Sequence, residues 1–441
     1  MYVLRIVSAA FASGVMLAVA AGVHAQSLNG ELAGLLADHP QIQSAAKTAE
    51  STGKEIDKAL ANFYPTVAAT ADGGTEVIDT PTERAKQFDS KPWIRTRNVV
   101  GLTVTQNLFN GYATSSAVKT ARLNRAIADI TLEGTRQNTL FEGITVYVYV
   151  DVLRQRRLVD LARSNEETIQ IQLNLEDERV QRGSGIAVDV LQAKSRLQIS
   201  KERRVNFEGG VKDAISRYIQ VFDHAPDLEA MMDPVPPVEM LPSKLETAID
   251  IALKENPAIS NSDANIEAVK ERRRTIGAEY MPTFDLVGRW NYEKHKAATL
   301  GTRRDYSLLL EANWNLFTGF STKDSLAQAA YDYGASKDTH RFVSRKVIEQ
   351  TKISWQALLT VRKRLELLEN AINIASEVFD SRQKLREAGK ETVINVLDAE
   401  SEIFNARINF TAASYDERLA VYQLLLAMGR LNAGNLNLAV N

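Results

Sequence analysis

Histidine, cysteine and paired carboxylates are where chemistry would first be sought, and here they offer little. The five histidines, His24, His39, His224, His295 and His340, lie far apart. No HExxH, GxSxG, GxxxxGKS or GxxxxGKT string occurs, so zinc hydrolysis, serine acyl transfer and nucleotide-phosphate chemistry have no motif to rest on. The chain has no cysteine, which removes disulfides, thiolate metal ligands and a lipidated N-terminal cysteine. Its 55 acidic residues fall mostly in stretches that read as long solvated helices, where carboxylates usually form a charged face. No catalytic, metal-binding or cofactor-binding residue is expected, and the chain is not read as an enzyme.

Composition points to architecture instead. Lys plus Arg (53) nearly balance Asp plus Glu (55), so no strong field draws nucleic acid. Glycine (23) and proline (11) are scarce in 441 residues, which favours long uninterrupted helices. The first residues, MYVLRIVSAAFASGVMLAVAAGVHAQ, carry a basic start at Arg5, an apolar run from Ile6 to Ala21 and a Val23-His24-Ala25 cleavage pattern. Residues 1–25 are therefore read as an export leader, removed before Gln26. The rest contains no apolar run long enough for a membrane helix, so the exported chain is either soluble or part of a β-barrel.

The chain is written twice. NLFNGYAT (Asn107 to Thr114) returns as NLFTGFST (Asn315 to Thr322), 208 positions later. His39-Pro40 matches Asn256-Pro257, and Tyr64-Pro65 matches Met281-Pro282, both 217 apart; GSGIAVDVL from Gly183 matches GKETVINVL from Gly389, 206 apart. Such self-similarity is the first thing to read in a sequence. The nine-residue change of offset marks an exposed loop between Pro65 and Asn107. The halves are read as 26–222 and 244–432, joined by a proline-rich linker at 223–243 and followed by a tail at 433–441.

Before each NLF phrase the pattern has period two. Tyr306, Leu308, Leu310, Ala312, Trp314 and Leu316 fall on one face, and Asp305, Ser307, Glu311, Asn313 and Asn315 on the other, with Leu309 the exception. Each half thus holds a hairpin of long strands, at about 66–108 and about 283–316. Aromatics cluster toward the strand ends, as in the interfacial girdles of membrane barrels. Two hairpins give four strands, too few to close a barrel in one chain, and an open edge in lipid is forbidden. If the strands span a bilayer, several chains must share one barrel.

After each NLF phrase a proline-free stretch runs from about Tyr112 to Arg182 and from about Phe320 to Ala388. Each is read as one helix of roughly 105 Å, although TVYVYVDVL (Thr145 to Leu153) alternates like a strand. Gly183 and Gly389 end these helices as C-caps at tip turns 183–187 and 389–391. A returning helix and a pre-hairpin helix, each about half as long, would together cover the long one. The NLFxG phrase then becomes the strand-to-helix joint, with Phe109 and Phe317 at the interface and Gly111 and Gly319 allowing the bend.

This plan, the two LFxG joints and the tip motifs RGSGIAVDVLQAKSRL and EAGKETVINVLDAESEIFNAR resemble the TolC family of outer-membrane efflux and secretion ducts. The resemblance covers Gln26 to about Asn432. It implies a mainly α fold with a membrane β-barrel: a long antiparallel helical barrel in the periplasm beneath four transmembrane strands per chain, trimeric, with twelve strands in all. It also implies a periplasmic adaptor meeting the turns at Gly183, Gly185 and Gly389, and an inner-membrane transporter behind it. By motif position Asp189 and Asp398 match acidic entrance residues. Asn395 stands where a second Asp is usual, Glu391 where a gating Arg is expected, and Arg386 where a gating Tyr would be. Dipole compensation in the first turns of a helix is the other reading of the two aspartates. The implied function is passive export, by type I protein secretion or, alternatively, by small-molecule efflux. From a different class, a soluble periplasmic scaffold with its hairpins packed on its own helices is the remaining expectation.

Overall fold

The computed structural model describes residues 26–86, 91–145 and 148–438; the expected leader and the last three residues of the tail lie outside them. Two helices, α1 (Leu28–Asp38) and α2 (Pro40–Ala61), lead into strand β1 (Thr66–Ile78), a short helix α3 (Pro81–Lys86) and strand β2 (Trp93–Phe109). Helices α4 (Ala113–Ile144), α5 (Tyr149–Gln181) and α6 (Ala187–Phe222) follow. The second half holds α7 (Leu245–Glu255), α8 (Pro257–Gly277), β3 (Thr283–Lys294), β4 (Thr302–Asn313), α9 (Ser321–Glu387) and α10 (Val393–Ala427).

The boundaries follow from local chemistry. The α1–α2 and α7–α8 breaks fall at His39-Pro40 and Asn256-Pro257, where Pro opens the new helix and the preceding side chain caps it: His39 Nδ1 accepts from Gln41 N at 3.3 Å, and Asn256 Oδ1 from Ala258 N at 2.9 Å. Proline at the first helical position costs nothing because its missing N–H has no partner there. The pre-hairpin segment is therefore two helices, not the single one expected.

The two long helices differ. α9 is continuous over 67 residues, about 100 Å. Its counterpart is not: α4 stops at Ile144 and α5 starts at Tyr149, with Val148 at φ −128°, ψ −105° between them. The expected unbroken helix from Tyr112 to Arg182 is corrected here. A β-branched, alternating run has poor helix propensity; Val148 lies outside both helices, and it is buried in the waist core with Tyr149, Val150 and Val152 of the first turn of α5.

The four strands form one antiparallel sheet in the order β1-β2-β3-β4. Register places Val67, Val104, Gly288 and Leu308 in one row and Ala69, Leu102, Trp290 and Tyr306 in the next, so one face is apolar. The opposite face carries Arg97 with Asp72 at 3.0 Å, and Arg289 with Glu311 at 2.7 Å. β2 runs through to Phe109 beside β3, but β4 stops at Asn313, short of the expected 316. Among the described residues β4 has no neighbour on its outer side, and a strand end without a ladder partner loses its pairing first.

Below the sheet α2 lies along α4 and α8 along both α4 and α9; farther down α6 covers α5 and α10 covers α9. The principal core sits at the waist, where Leu32, Leu35, Leu140, Ile144, Tyr149, Tyr218, Val421, Leu425 and Leu431 pack together. A separate small core of Ile169, Leu173, Val190, Leu197, Val393 and Leu397 joins the two helix hairpins near their tips.

Candidate functional site: the helix tips and the strand-to-helix joints

Both tips are closed by the same backbone device. At the first, Gly183 N donates to Val180 O and Ser184 N to Arg179 O, each at 3.0 Å; at the second, Gly389 N donates to Arg386 O at 3.0 Å and Lys390 N to Leu385 O at 2.9 Å. This is the Schellman arrangement, which needs a left-handed residue; both glycines have φ +75°. Gly185 is constrained by space, since a Cβ there would meet Val180 N at 2.8 Å.

Arg386, near the end of α9, ties the two tips together. Its guanidinium donates to Glu176 of α5 through Nε at 3.0 Å and also through Nη2, to Asp189 of α6 at 3.0 Å, and through Nη1 to the carbonyl of Glu391 at 2.9 Å. A planar fork matched to a carboxylate is the strong form of such pairing. Glu176 is 1% exposed and takes a further bond from Arg179 at 3.0 Å. The bonds to Glu176, foremost, hold the Arg386 pKa above its ordinary value.

The other entrance candidates are bound up as well. Asp398 pairs with Arg196 of α6 at 2.6 Å. Glu391 Oε1 accepts from Asn395 Nδ2 at 2.5 Å and from Thr392 N at 3.0 Å; these bonds, the amide's first, lower its pKa. Asp189 is in the first turn of α6, whereas Asp398 is the sixth residue of α10, so a dipole role suits only the former. In this arrangement neither aspartate is a free carboxylate.

Sequence reasoning passed over Glu176, the common acceptor, because it sits among the charges of a long helix and meets Arg386 across 210 positions. It also passed over Glu400, which is 7% exposed and accepts from Asn165 Nδ2 at 3.1 Å. Burial, the largest cause, raises the Glu400 pKa. The neutral acid is thus the form folding favours: that contribution is whole below the usual glutamate range and is lost as pH rises through the raised value. Glu400→Gln should therefore raise Tm relative to the parent at pH 8 and leave it unchanged at pH 4, read by thermal unfolding at both.

The joints are built alike. Gly111 and Tyr112 have φ +64° and +67°, and Gly319 and Phe320 have +62° and +67°. Phe109 meets Tyr112 edge-on at 5.5 Å, and Phe317 meets Phe320 edge-on at 5.4 Å. Asn110 Oδ1 accepts from Thr114 N at 3.3 Å, satisfying an orphan donor of α4. Their surroundings differ. A Cβ on Gly111 would lie 2.7 Å from both Ala278 O and Met281 Cβ, whereas one on Gly319 would meet nothing within 4 Å. Phe317 is 73% exposed.

Among the described residues the one histidine with both a hydroxyl and a carboxylate beside it does not make a reaction centre. Ser262 Oγ and Asp263 Oδ1 approach His340 at 2.9 and 3.2 Å, but both reach Nδ1. A nucleophile and an orienting carboxylate must occupy opposite ring nitrogens. Among the described residues no acid–histidine cluster could hold a metal ion, and no helix is long and apolar enough to cross a membrane. Long paired helices under an amphipathic sheet are the plan of a channel-type protein.

Comparison with known proteins agrees. The profile of the outer membrane efflux protein family matches residues 32–217 and again 248–430. The outer membrane efflux protein BepC of Brucella suis is 26% identical over 78% of this chain and 75% of its own length. The alkaline protease secretion protein AprF of Pseudomonas aeruginosa is 21% identical over 91% and 84%. Among solved structures, the outer membrane protein VceC of Vibrio cholerae superposes with a TM-score of 0.76 at 14% identity, over 91% of this chain and 96% of that one. The chain belongs to the outer membrane efflux protein family, the TolC-like ducts that its joints and tips resemble, and is a protein of the outer membrane.

Proposed function

We propose that three copies of this chain complete a twelve-stranded barrel in the outer membrane, and that the assembly is a passive duct. An adaptor docked on the tip turns at Gly183, Gly185 and Gly389 would hand it cargo from an inner-membrane transporter. The observation that carries this is the sheet itself: apolar on one face, ion-paired on the other, and unpaired along both β1 and β4. In lipid each unpaired backbone group costs several kcal/mol, on the order of the cost of any unpaired polar group in hydrocarbon, so β4 of one copy must pair with β1 of the next.

The sequence offsets turn this into a test. Within the chain Val104 faces Gly288 across β2–β3. Adding 208 to 104 and subtracting 217 from 288 gives Ala312 and Ala71 as the facing pair between copies. Because the parent has no cysteine, the double variant Ala71→Cys, Ala312→Cys reports on that pair alone. Mild oxidation of membranes should give a covalent trimer on denaturing gels, with each single variant uncrosslinked. A double variant that stays monomeric under oxidation refutes the shared barrel.

The tip network supports reading this arrangement as a closed entrance, with Arg386 as its lock between the α5–α6 and α9–α10 hairpins. For cargo, the relation to AprF, named for protease secretion, together with the style of the joint and tip motifs, favours type I protein secretion. The relation to BepC, named for efflux, favours small-molecule export as the second reading. Deleting the gene separates them: loss of a secreted protein with unchanged sensitivity to toxic compounds supports the first, and the reverse supports the second.

A further inference from the structure

Gln26, the residue that leader removal after Ala25 would leave as the first of the chain, is held by every polar atom it has. Its backbone nitrogen donates to Ala230 O at 3.0 Å, and its carbonyl lies 3.3 Å from the donor Met232 N and 2.8 Å from the Tyr149 hydroxyl. Its side-chain Oε1 accepts from Asp227 N at 2.8 Å, and Nε2 donates to Glu31 Oε1 and to the Tyr218 hydroxyl, both at 2.9 Å. Tyr149 and Tyr218 are fully buried in the waist core. Glu31 is fixed in turn by His224 Nε2 at 2.8 Å.

Such a socket is specific for a primary amide. Alanine at 26 would forfeit three bonds, and glutamate would set a second carboxylate against Glu31. An N-terminal glutamine also has an intrinsic reaction: its α-amine attacks its own Cδ, the N–Cδ bond forms, the Cδ–Nε2 bond breaks, and Nε2 leaves as ammonia with the displaced proton. The product lactam has no NH2 group, so Glu31 and Tyr218 would each lose their donor. Both termini of the reaction are engaged elsewhere in the socket, the nitrogen at Ala230 and the amide at Asp227, Glu31 and Tyr218. That geometry holds the side chain away from the ring-closing conformer, and closure would have to wait for the socket to open.

We propose that the waist carries a binding site for the chain's own mature N-terminus, which recognises the Gln26 amide and protects it from cyclisation to pyroglutamate. The inference rests on leader removal after Ala25 and is independent of the duct reading. Tyr149 suits the role as a permanently neutral donor to the Gln26 carbonyl and Tyr218 as a neutral acceptor from its amide, since burial pushes the Tyr149 hydroxyl up to about 12 and that of Tyr218 higher still.

The test is intact-mass analysis with N-terminal sequencing of full-length protein exported with its leader and purified from membranes. Sequencing of the folded parent should read Gln first, and prolonged warm incubation should leave it readable. The same protein unfolded in urea should lose one ammonia about tenfold faster, a ratio set by how rarely the socket opens. The double variant Tyr218→Phe, Glu31→Ala should lose it from the folded state, and the urea comparison serves if that variant does not fold. A parent that starts at another residue, arrives already blocked, or cyclises equally fast folded and unfolded overturns the proposal.

Discussion

Gly111→Asn should unfold or mis-assemble the chain, while Gly319→Asn should leave a folded protomer that cannot form the trimer. Asparagine tolerates the left-handed region better than other side chains, so the substitution separates space from backbone strain. At Gly111 the new Cβ would lie 2.7 Å from Ala278 O, a backbone atom that cannot swing aside. Overpacking of this kind costs about 1–3 kcal/mol, and it falls where α8 hands over to β3. At Gly319 the single chain leaves open space. The offset of 217 that relates the halves sends Ala278 and Met281 to Ala61 and Tyr64, and Tyr64 is 70% exposed. If copies meet as proposed, Ala61 and Tyr64 of the next protomer fill that space and meet the new side chain. Circular dichroism with native gel electrophoresis reads both outcomes. A normal trimer from Gly319→Asn would remove this joint from the contact between copies.

What the sequence made legible is what repeats or alternates. The hairpins could be read because side chains in a strand swap faces every residue, and the joints because NLFxG occurs twice. Where the two halves diverge, reading one through the other misled. Thr145 to Leu153 was assigned to a helix by its partner's pattern; Tyr149 to Leu153 do open α5, but α4 ends at Ile144 and Val148 is not helical, while the partner segment continues undisturbed within α9. The end of β4 was drawn too far because period two persists in the sequence where the ladder partner is missing. The tip candidates were found by motif, but their connectivity was not legible. Arg386 meets Glu176 over 210 positions and Asp189 over 197, and no local pattern encodes which of many helix carboxylates will face it. The Gln26 socket is similarly remote, assembled from α1, α5, α6 and the linker.

Arg386→Ala is the other change from which a large effect is expected, and its two consequences have opposite senses. Removing the guanidinium leaves Glu176, 1% exposed, with Arg179 as its remaining cation, while Asp189 loses the ion pair with Arg386. Breaking a buried pair from one side costs about 3–5 kcal/mol because the surviving charge stays desolvated. That energy can be relieved only by exposing Glu176 to water, which requires α5 to part from α9 at the tips. The small apolar core of Ile169, Leu173, Val190 and Val393 just above would remain to hold the hairpins. Loss of the lock should therefore shift the entrance toward the open state without dissolving the helices. In planar bilayers single-channel conductance should rise severalfold, with helical content unchanged by circular dichroism. Arg386→Lys should fall between, since an ammonium cannot present the fork that binds both Glu176 oxygens. The double variant Glu176→Gln, Arg386→Ala should recover much of the stability, because the fully buried carboxylate is then neutral, and should keep the raised conductance. If instead Arg386→Ala conducts like the parent, the cluster holds the fold and is not the lock of the proposed entrance.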